Sequence, residues 1–382
     1  MNFDFNEDSE LLREQARKML QAQCPTTLVR QYLPGDQGFD RALWQQMADL
    51  GWLGVTIAEE HGGSALGYEG LCVLAEEIGR ALAPVPFASS VYLATPAIQA
   101  HASAEQQAQW LPKLASGQAI GCWVLATGLG NPREADVKLR VDAGKLNGEA
   151  WPVTDGAQAD FAIVVARNAQ DELGLYRVDL TQASVAREAL QSIDPTRAQA
   201  RLTFAGAAAE PLGAGRVSWA DVKRLLAQAA VLVAFEQVGG ASVCLETATA
   251  YAKERVAFGR PIGSFQAIKH KLADIYVANE LARSNAYFGC WALANGPAEL
   301  ALAAATARVS ATQAFNFAAR ENIQTHGGMG FTWEMDCHLF LRRSASLAAL
   351  LGSAGYWKEE VVAEWTRASH APAAAKVAAV AH

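Results

Sequence analysis

One short stretch, Tyr251–Asp274 (YAKERVAFGRPIGSFQAIKHKLAD), gathers Arg255, Phe258, Gly259, Arg260, Pro261, Ser264, Gln266 and His270 between two long apolar helical runs. Pro261 and Gly263 interrupt the helix, and Ser264 is placed to cap the run that follows. A plain interhelical turn needs no arginine, aromatic ring and amide in the same corner, so this corner reads as a binding site. A second stretch, Ile323–Arg343, places Gly327, Gly328 and Gly330 at the end of a helix carrying Gln324, and backbone without Cβ atoms can approach a ligand closely. His326 and His338 have no partners at metal-ligand spacing, so no metal is expected. Glu59, Glu60, Glu76 and Glu77 read as solvated or structural charges.

The elements that must position these residues fall into three parts of the 382-residue chain: 1–120, 121–215 and 216–382. The first reads as helices: a run capped by Ser9, then Phe39–Leu50, Gly70–Ala83 and Ser103–Leu114. The middle part is richer in Gly, Pro and β-branched residues, with short alternating runs such as FAIVVAR and ARLTFAG and turn signals at Asp142-Ala143-Gly144 and Asn147-Gly148. It predicts a small antiparallel β domain, and the lack of βαβ alternation argues against a doubly wound nucleotide fold. The last part holds four helical runs, Val222–Val256, Ser264–Ala294, Ala298–Thr325 and Glu334–Arg367, which predict a four-helix bundle. Gly239-Gly240 inside the first run predicts a close helix–helix contact. The fold class expected is therefore α+β, mainly α.

A formal charge of −7 argues against nucleic acid as partner. The six cysteines are scattered without a CxxC pair, as reduced buried thiols are. The acidic start MNFDFNEDSE has no secretory pattern, and no apolar run spans a bilayer without charge or Gly interruption, so a cytoplasmic enzyme is expected.

In this architecture the two stretches resemble the acyl-CoA dehydrogenase family, matching its YxxxRxxFGxPIxxFQxxxHxLAD and IQxHGGxGFTxExDxHLFLRR signatures. The segment LGWLGVTIAEEHGG (Leu50–Gly63) is also similar to the family. The resemblance implies FAD and an acyl-CoA substrate: a carboxylate takes the α-proton, hydride leaves Cβ for the flavin, and a trans-2-enoyl-CoA forms. It implies a cofactor shared across a subunit interface, with an electron-transfer flavoprotein as acceptor. Carried over, Arg255 neutralises the pyrophosphate, Phe258 packs on the adenosine end, Gln266 and Gln324 hydrogen-bond the cofactor, and Gly327 and Gly328 let backbone approach it.

The chain departs from the family at its own flavin loop. Where typical members carry TEPxxGSD it reads ATGLGNPREAD (Ala126–Asp136), keeping Thr127, and the usual Trp-Ile-Thr-Asn turn is Pro152-Val153-Thr154-Asp155, keeping Thr154. The usual positions of the catalytic carboxylate hold Leu351 and Ala229; Glu236, two turns beyond Ala229 on the same helix, is either the candidate base or a structural acid within the helix. The pattern points to the base-lacking partner chain of an α2β2 enzyme, a type known for bulky thioesters including steroid side chains. The alternatives are a self-sufficient homo-oligomer with Glu236 or another carboxylate as base, and a non-catalytic acyl-CoA-binding protein.

Overall fold

The computed structural model describes residues 5–35, 38–125, 128–295 and 298–370. The N-terminal part comprises α1 (Glu7–Gln23), α2 (Thr26–Gln31), α3 (Arg41–Asp49), α4 (Gly67–Ala81), α5 (Phe87–Ser89) running through a π-turn at Ser90–Ala94 into α6 (Thr95–His101), and α7 (Ala104–Ala115). Ser9 is not the cap of α1. The Asn6 side chain accepts the Ser9 N–H, so the helix starts about one turn earlier than the hydroxyl suggested. At α7 the expected Ser103 does cap, in a reciprocal box with Gln106.

The middle part is a sheet of eight strands: β1 (Gly121–Val124), β2 (Arg140–Asp142), β3 (Lys145–Thr154), β4 (Phe161–Arg167), β5 (Leu173–Asp179), β6 (Val185–Leu190), β7 (Gln199–Ala208) and β8 (Glu210–Pro211). Its order is β6-β7-β3-β2-β4-β5-β8, with β1 joined to β4. Most ladders are antiparallel, but β1 and β2 each run parallel to β4, so the sheet is mixed rather than purely antiparallel. Ala143 and Gly144 form the tight β2–β3 turn with positive φ of 45° and 72°. Asn147-Gly148 is not a turn: it lies within β3 at a register shift, where the Asn147 side chain accepts the Gly206 N–H.

The C-terminal part begins with α8 (Trp219–Glu254), continues through a two-stranded ribbon of β9 (Val256–Ala257) and β10 (Arg260–Pro261), and then α9 (Gln266–Asn295), α10 (Leu300–His326), α11 (Cys337–Ala349) and α12 (Ala354–His370). The fourth run predicted as one helix is two. Leu351 (φ 63°) and Gly352 (φ 115°) take positive φ and Leu350 is extended, which ends α11 and restarts the chain as α12. Ser264 does not cap α9; its hydroxyl donates to the Pro261 carbonyl at 2.7 Å inside a short 3-10 turn.

By length and composition α8 could cross a membrane, yet 83% of its most apolar window is buried within the fold. It is apolar all round because it packs on α4, α9 and α10 at once. Glycines set the closest approach: a Cβ on Gly239 would fall 2.1 Å from the Glu76 carbonyl oxygen, and one on Gly79 would fall 2.1 Å from that of Glu236. Gly239→Ala is therefore expected to destabilise by about 3 kcal/mol, at the upper end of overpacking costs. Gly328→Ala, which meets nothing within 4 Å, should be near neutral in the same denaturant titration. Glu76 and Glu77 on α4 are buried and ion-paired: Arg13 and Arg283 reach Glu76 at 2.8 and 2.6 Å, and Arg17 reaches Glu77 at 2.6 Å. They fasten α1 and the bundle to α4.

Candidate active site

The candidate residues fall at two places. The first is the end of the bundle. Arg255 terminates α8 in extended conformation, and the ribbon that follows turns at Phe258 (φ 52°) and Gly259 (φ 76°). A left-handed phenylalanine is an uncommon conformation, and here it leaves the ring 95% exposed, edge-on to Phe265 at 6.2 Å. Arg260 lies over the Phe265 ring at 4.1 Å, and the Ile262 N–H donates to the Arg255 carbonyl at 2.8 Å, which closes the corner.

The second signature meets the first along a seam. The Tyr251 ring stacks on His326 at 4.2 Å, and Lys271 pairs with Glu321 at 2.7 Å. Around the seam Arg255, Gln266 and Gln324 are all exposed. Gly327 (φ 59°) ends α10, and a Cβ on it or on Gly328 would meet nothing within 4 Å, so packing within the chain does not require these glycines to be small. Met329, Phe331 and Trp333 beside them are large, apolar and exposed. A cation, two amides, bare backbone and aromatic rings from the two signatures are thus all at the surface of the single chain.

The second place is a cavity of about 930 Å³ between the sheet and the bundle. Trp123, Thr154, Arg197 and Gln199 line it from the sheet side, and Leu226 and the Ala345–Ser353 region from the bundle. Thr154 keeps its hydroxyl engaged with the Gln199 amide at 3.1 Å. Thr127 lies outside the described residues. Leu351 faces this cavity, and it borders, together with Ala229, a small apolar recess shared with Leu350, Ser89 and Thr154. The two positions that the resemblance assigns to a base therefore converge, from different elements, and both are aliphatic. Asp136 is the carboxylate among the described lining residues; Arg133, Lys138 and Arg197 are the cations.

Glu236 does not line the cavity. It is fully buried and accepts from Arg197 Nη2 at 2.5 Å. Burial disfavours the Arg197 charge, but Glu236 outweighs it and holds that guanidinium above its ordinary pKa. Two further buried arginines brace the same region. Arg343 donates to Asp194 at 2.5 Å and to Thr196 at 2.8 Å. Arg308 donates to the carbonyls of Leu347 and Leu350 at 2.5 and 2.8 Å, which fixes the loop that carries Leu351. Burial pushes the Arg308 pKa down to about 9, with Glu236 opposing.

These arginines, and Asp155 with Ser89, were not singled out from the sequence. The available signal was a lone charge in an apolar helix, as at Arg308, but its partner lies far away in the chain.

Asp155 accepts from Ser89 Oγ at 2.6 Å, and burial raises its pKa to about 6 against the opposing pull of Ser89, Arg197 and Arg343. An acid whose folded pKa lies above its unfolded value binds its proton more tightly when folded. Its contribution is therefore favourable at low pH and is lost as pH rises from about 4 through about 6. Asp155→Asn, which keeps an acceptor for Ser89, should remove this slope and raise stability at pH 7 relative to the parent, read by thermal unfolding across pH 4–8.

The fold defines an enzyme class: a helical domain, a central sheet and a helical bundle around a cavity. The chain belongs to the acyl-CoA dehydrogenase family, oxidoreductases acting on CH–CH donors. Its residues 6–118 match the family model "Acyl-CoA dehydrogenase, N-terminal domain" and 219–371 match "Acyl-CoA dehydrogenase, C-terminal domain". It is 35% identical over 349 residues to acyl-CoA dehydrogenase IpdE2 of Mycobacterium tuberculosis, covering 91% of this chain and 94% of that one. Among solved structures it is similar to the ChsE4–ChsE5 complex from Mycobacterium tuberculosis (27% identity, TM-score 0.87, 98% of this chain and 100% of that one). It is also similar to the Tcur3481–Tcur3483 steroid ACAD (28% identity, TM-score 0.85, 95% and 99%).

Proposed function

We propose that the chain is one subunit of an FAD-dependent acyl-CoA dehydrogenase, the base-lacking member of an α2β2 pair. The observation that carries this reading is the recess bordered by Ala229 and Leu351. The α-proton of a thioester is a poor acid, and its removal needs a base held against it where water is excluded. Neither side chain can act as one. Glu236 we assign as the counter-ion of Arg197, because its carboxylate is enclosed and committed to that pair.

The bundle end fits an FAD whose flavin lies in the neighbouring subunit. Arg255 would pair with the pyrophosphate, Phe258 would cover the adenosine end, Gln266 and Gln324 would hydrogen-bond polar edges, and Gly327 and Gly328 would admit the backbone approach. When bound, FAD supplies the hydride acceptor; this chain's part is to hold and orient it. Thr154, with Thr127, is what remains of contacts for a flavin in the chain's own cavity. Two solved relatives support the pairing and the substrate class: one is a two-component complex and one is a steroid ACAD. We therefore favour a bulky, steroid-type acyl-CoA thioester, a cytoplasmic location, and an electron-transfer flavoprotein as acceptor by family analogy.

The test is FAD content. The chain purified alone is expected to be colourless and inactive, and to gain flavin and turnover when co-purified with a second, related chain. One FAD per chain and turnover of an acyl-CoA by the isolated protein would overturn the reading.

A further inference from the structure

The segment between α10 and α11 carries Gly327, Gly328 and the exposed rings of Phe331 and Trp333. Its first turn closes on itself: the Thr332 N–H and hydroxyl both donate to the Met329 carbonyl, at 3.0 and 2.9 Å. The rest of the segment is held by a side chain from the other end of the protein. Arg30, in the last turn of α2, brings Nε and Nη2 to Asp336 Oδ1 at 2.8 and 2.7 Å, and Nη2 also donates to the Glu334 carbonyl at 3.2 Å. Its guanidinium carbon lies over the Trp333 ring, 5.8 Å from the ring centre. One arginine thus engages Trp333, Glu334 and Asp336 together. Val29 beside it is buried in the core, so Arg30 projects from a fixed backbone.

Two features set this contact apart from an ordinary surface pair. Asp336 occupies the N-cap position of α11, where an aspartate usually accepts from the N–H groups of the first turn, yet its side chain makes no cap bond. The carboxylate is turned to Arg30 instead. Trp333 is held a second time, by His338 in the first turn of α11, which stacks on it at 4.7 Å with the planes 15° apart. Exposed ion pairs contribute little on their own, but the Arg30 side chain is only 20% exposed and combines an ion pair, a carbonyl bond and a ring contact in one geometry.

Backbone that meets a ligand binds it better when it is ordered beforehand, because ordering it during binding costs affinity. We propose that Arg30 is a positioning residue for the cofactor surface: by fastening Trp333–Asp336 to the N-terminal part, it presents Gly327 and Gly328 ready-formed to the pyrophosphate and adenosine half of the cofactor. The inference rests on the assignment of the bundle end to FAD made above. It adds a residue outside both signatures, which acts through the segment rather than on the cofactor.

The test uses the full chain and adenosine diphosphate, which reproduces the pyrophosphate and adenosine half of FAD. ADP affinity is read by ligand-observed NMR, and amide hydrogen exchange is followed over 327–336. In Arg30→Met these amides should exchange about fivefold faster and ADP should bind about fivefold more weakly, the scale of one well-made, partly exposed pair. The amides of α8 and α10 and the thermal midpoint should stay close to those of the parent. Arg30→Lys, which keeps the charge but not the planar fork, should recover part of both effects. Asp336→Ala, which breaks no cap bond, should reproduce Arg30→Met, and the double variant should be no worse than either single one.

Unchanged ADP affinity or unchanged exchange over 327–336 in Arg30→Met overturns the proposal. So does faster exchange spread evenly over the chain, or effects of the two single variants that simply add. Arg255→Ala is measured in parallel. If it weakens ADP binding while Arg30→Met does not, the corner still holds the cofactor and the positioning role alone fails. If the parent binds no ADP, or Arg255→Ala leaves ADP binding unchanged, the bundle end is not the cofactor surface and the inference falls with that assignment.

Discussion

Glu236→Ala is expected to cost about 3–5 kcal/mol of stability, because it leaves the Arg197 charge buried without its partner. The pair is closed at 2.5 Å, with both side chains almost entirely excluded from solvent. Denaturant unfolding of the chain would show a lower midpoint for the α8–sheet contact. A double variant, Arg197→Met with Glu236→Met, should recover most of the loss, since replacing a whole buried pair by apolar groups is often neutral. A general base behaves otherwise. Its removal would leave the unfolding midpoint in place and abolish turnover of the assembled enzyme. That outcome would restore Glu236 as the catalytic carboxylate and would favour the self-sufficient homo-oligomer.

Arg255→Ala should strip FAD from the assembled oligomer while leaving this chain folded. Arg255 is exposed at the end of α8, so the internal packing of the bundle does not depend on its side chain. Loss of a charged hydrogen-bond donor to a phosphate costs about 1.5–3 kcal/mol, which is about 10–100-fold in FAD affinity. The measurement is flavin absorbance per chain after gel filtration, alongside the thermal unfolding of the isolated variant. Arg255→Lys should retain part of the affinity, because it keeps the charge but not the bidentate fork. Unchanged FAD content in Arg255→Ala would show that this corner does not hold the cofactor.

Much of the fold was legible because its signals are local. Helix runs, the Ser103 cap, the Ala143-Gly144 turn and the Gly239 contact each follow from a few neighbouring residues. The misreadings are also local in origin. Ser9 and Ser264 look like caps, but a hydroxyl's partner depends on the chain's path, and the nearby Asn6 and Pro261 carbonyl decided otherwise. The single helix expected over Glu334–Arg367 ignored the positive φ at Leu351 and Gly352, which the Arg308 clamp on the preceding carbonyls accompanies.

By itself the sequence determined the family signatures, the order of helical, sheet and bundle parts, and the aliphatic residues at both expected base positions. These are matters of residue identity and spacing. The tertiary structure decided what the charges do. Glu236 was a carboxylate of open role until Arg197, 39 residues away in the chain, closed on it. Ala229 and Leu351 were separate departures until the fold brought them to one recess. A buried charge takes its function from what faces it, and that facing group is set by packing between distant segments.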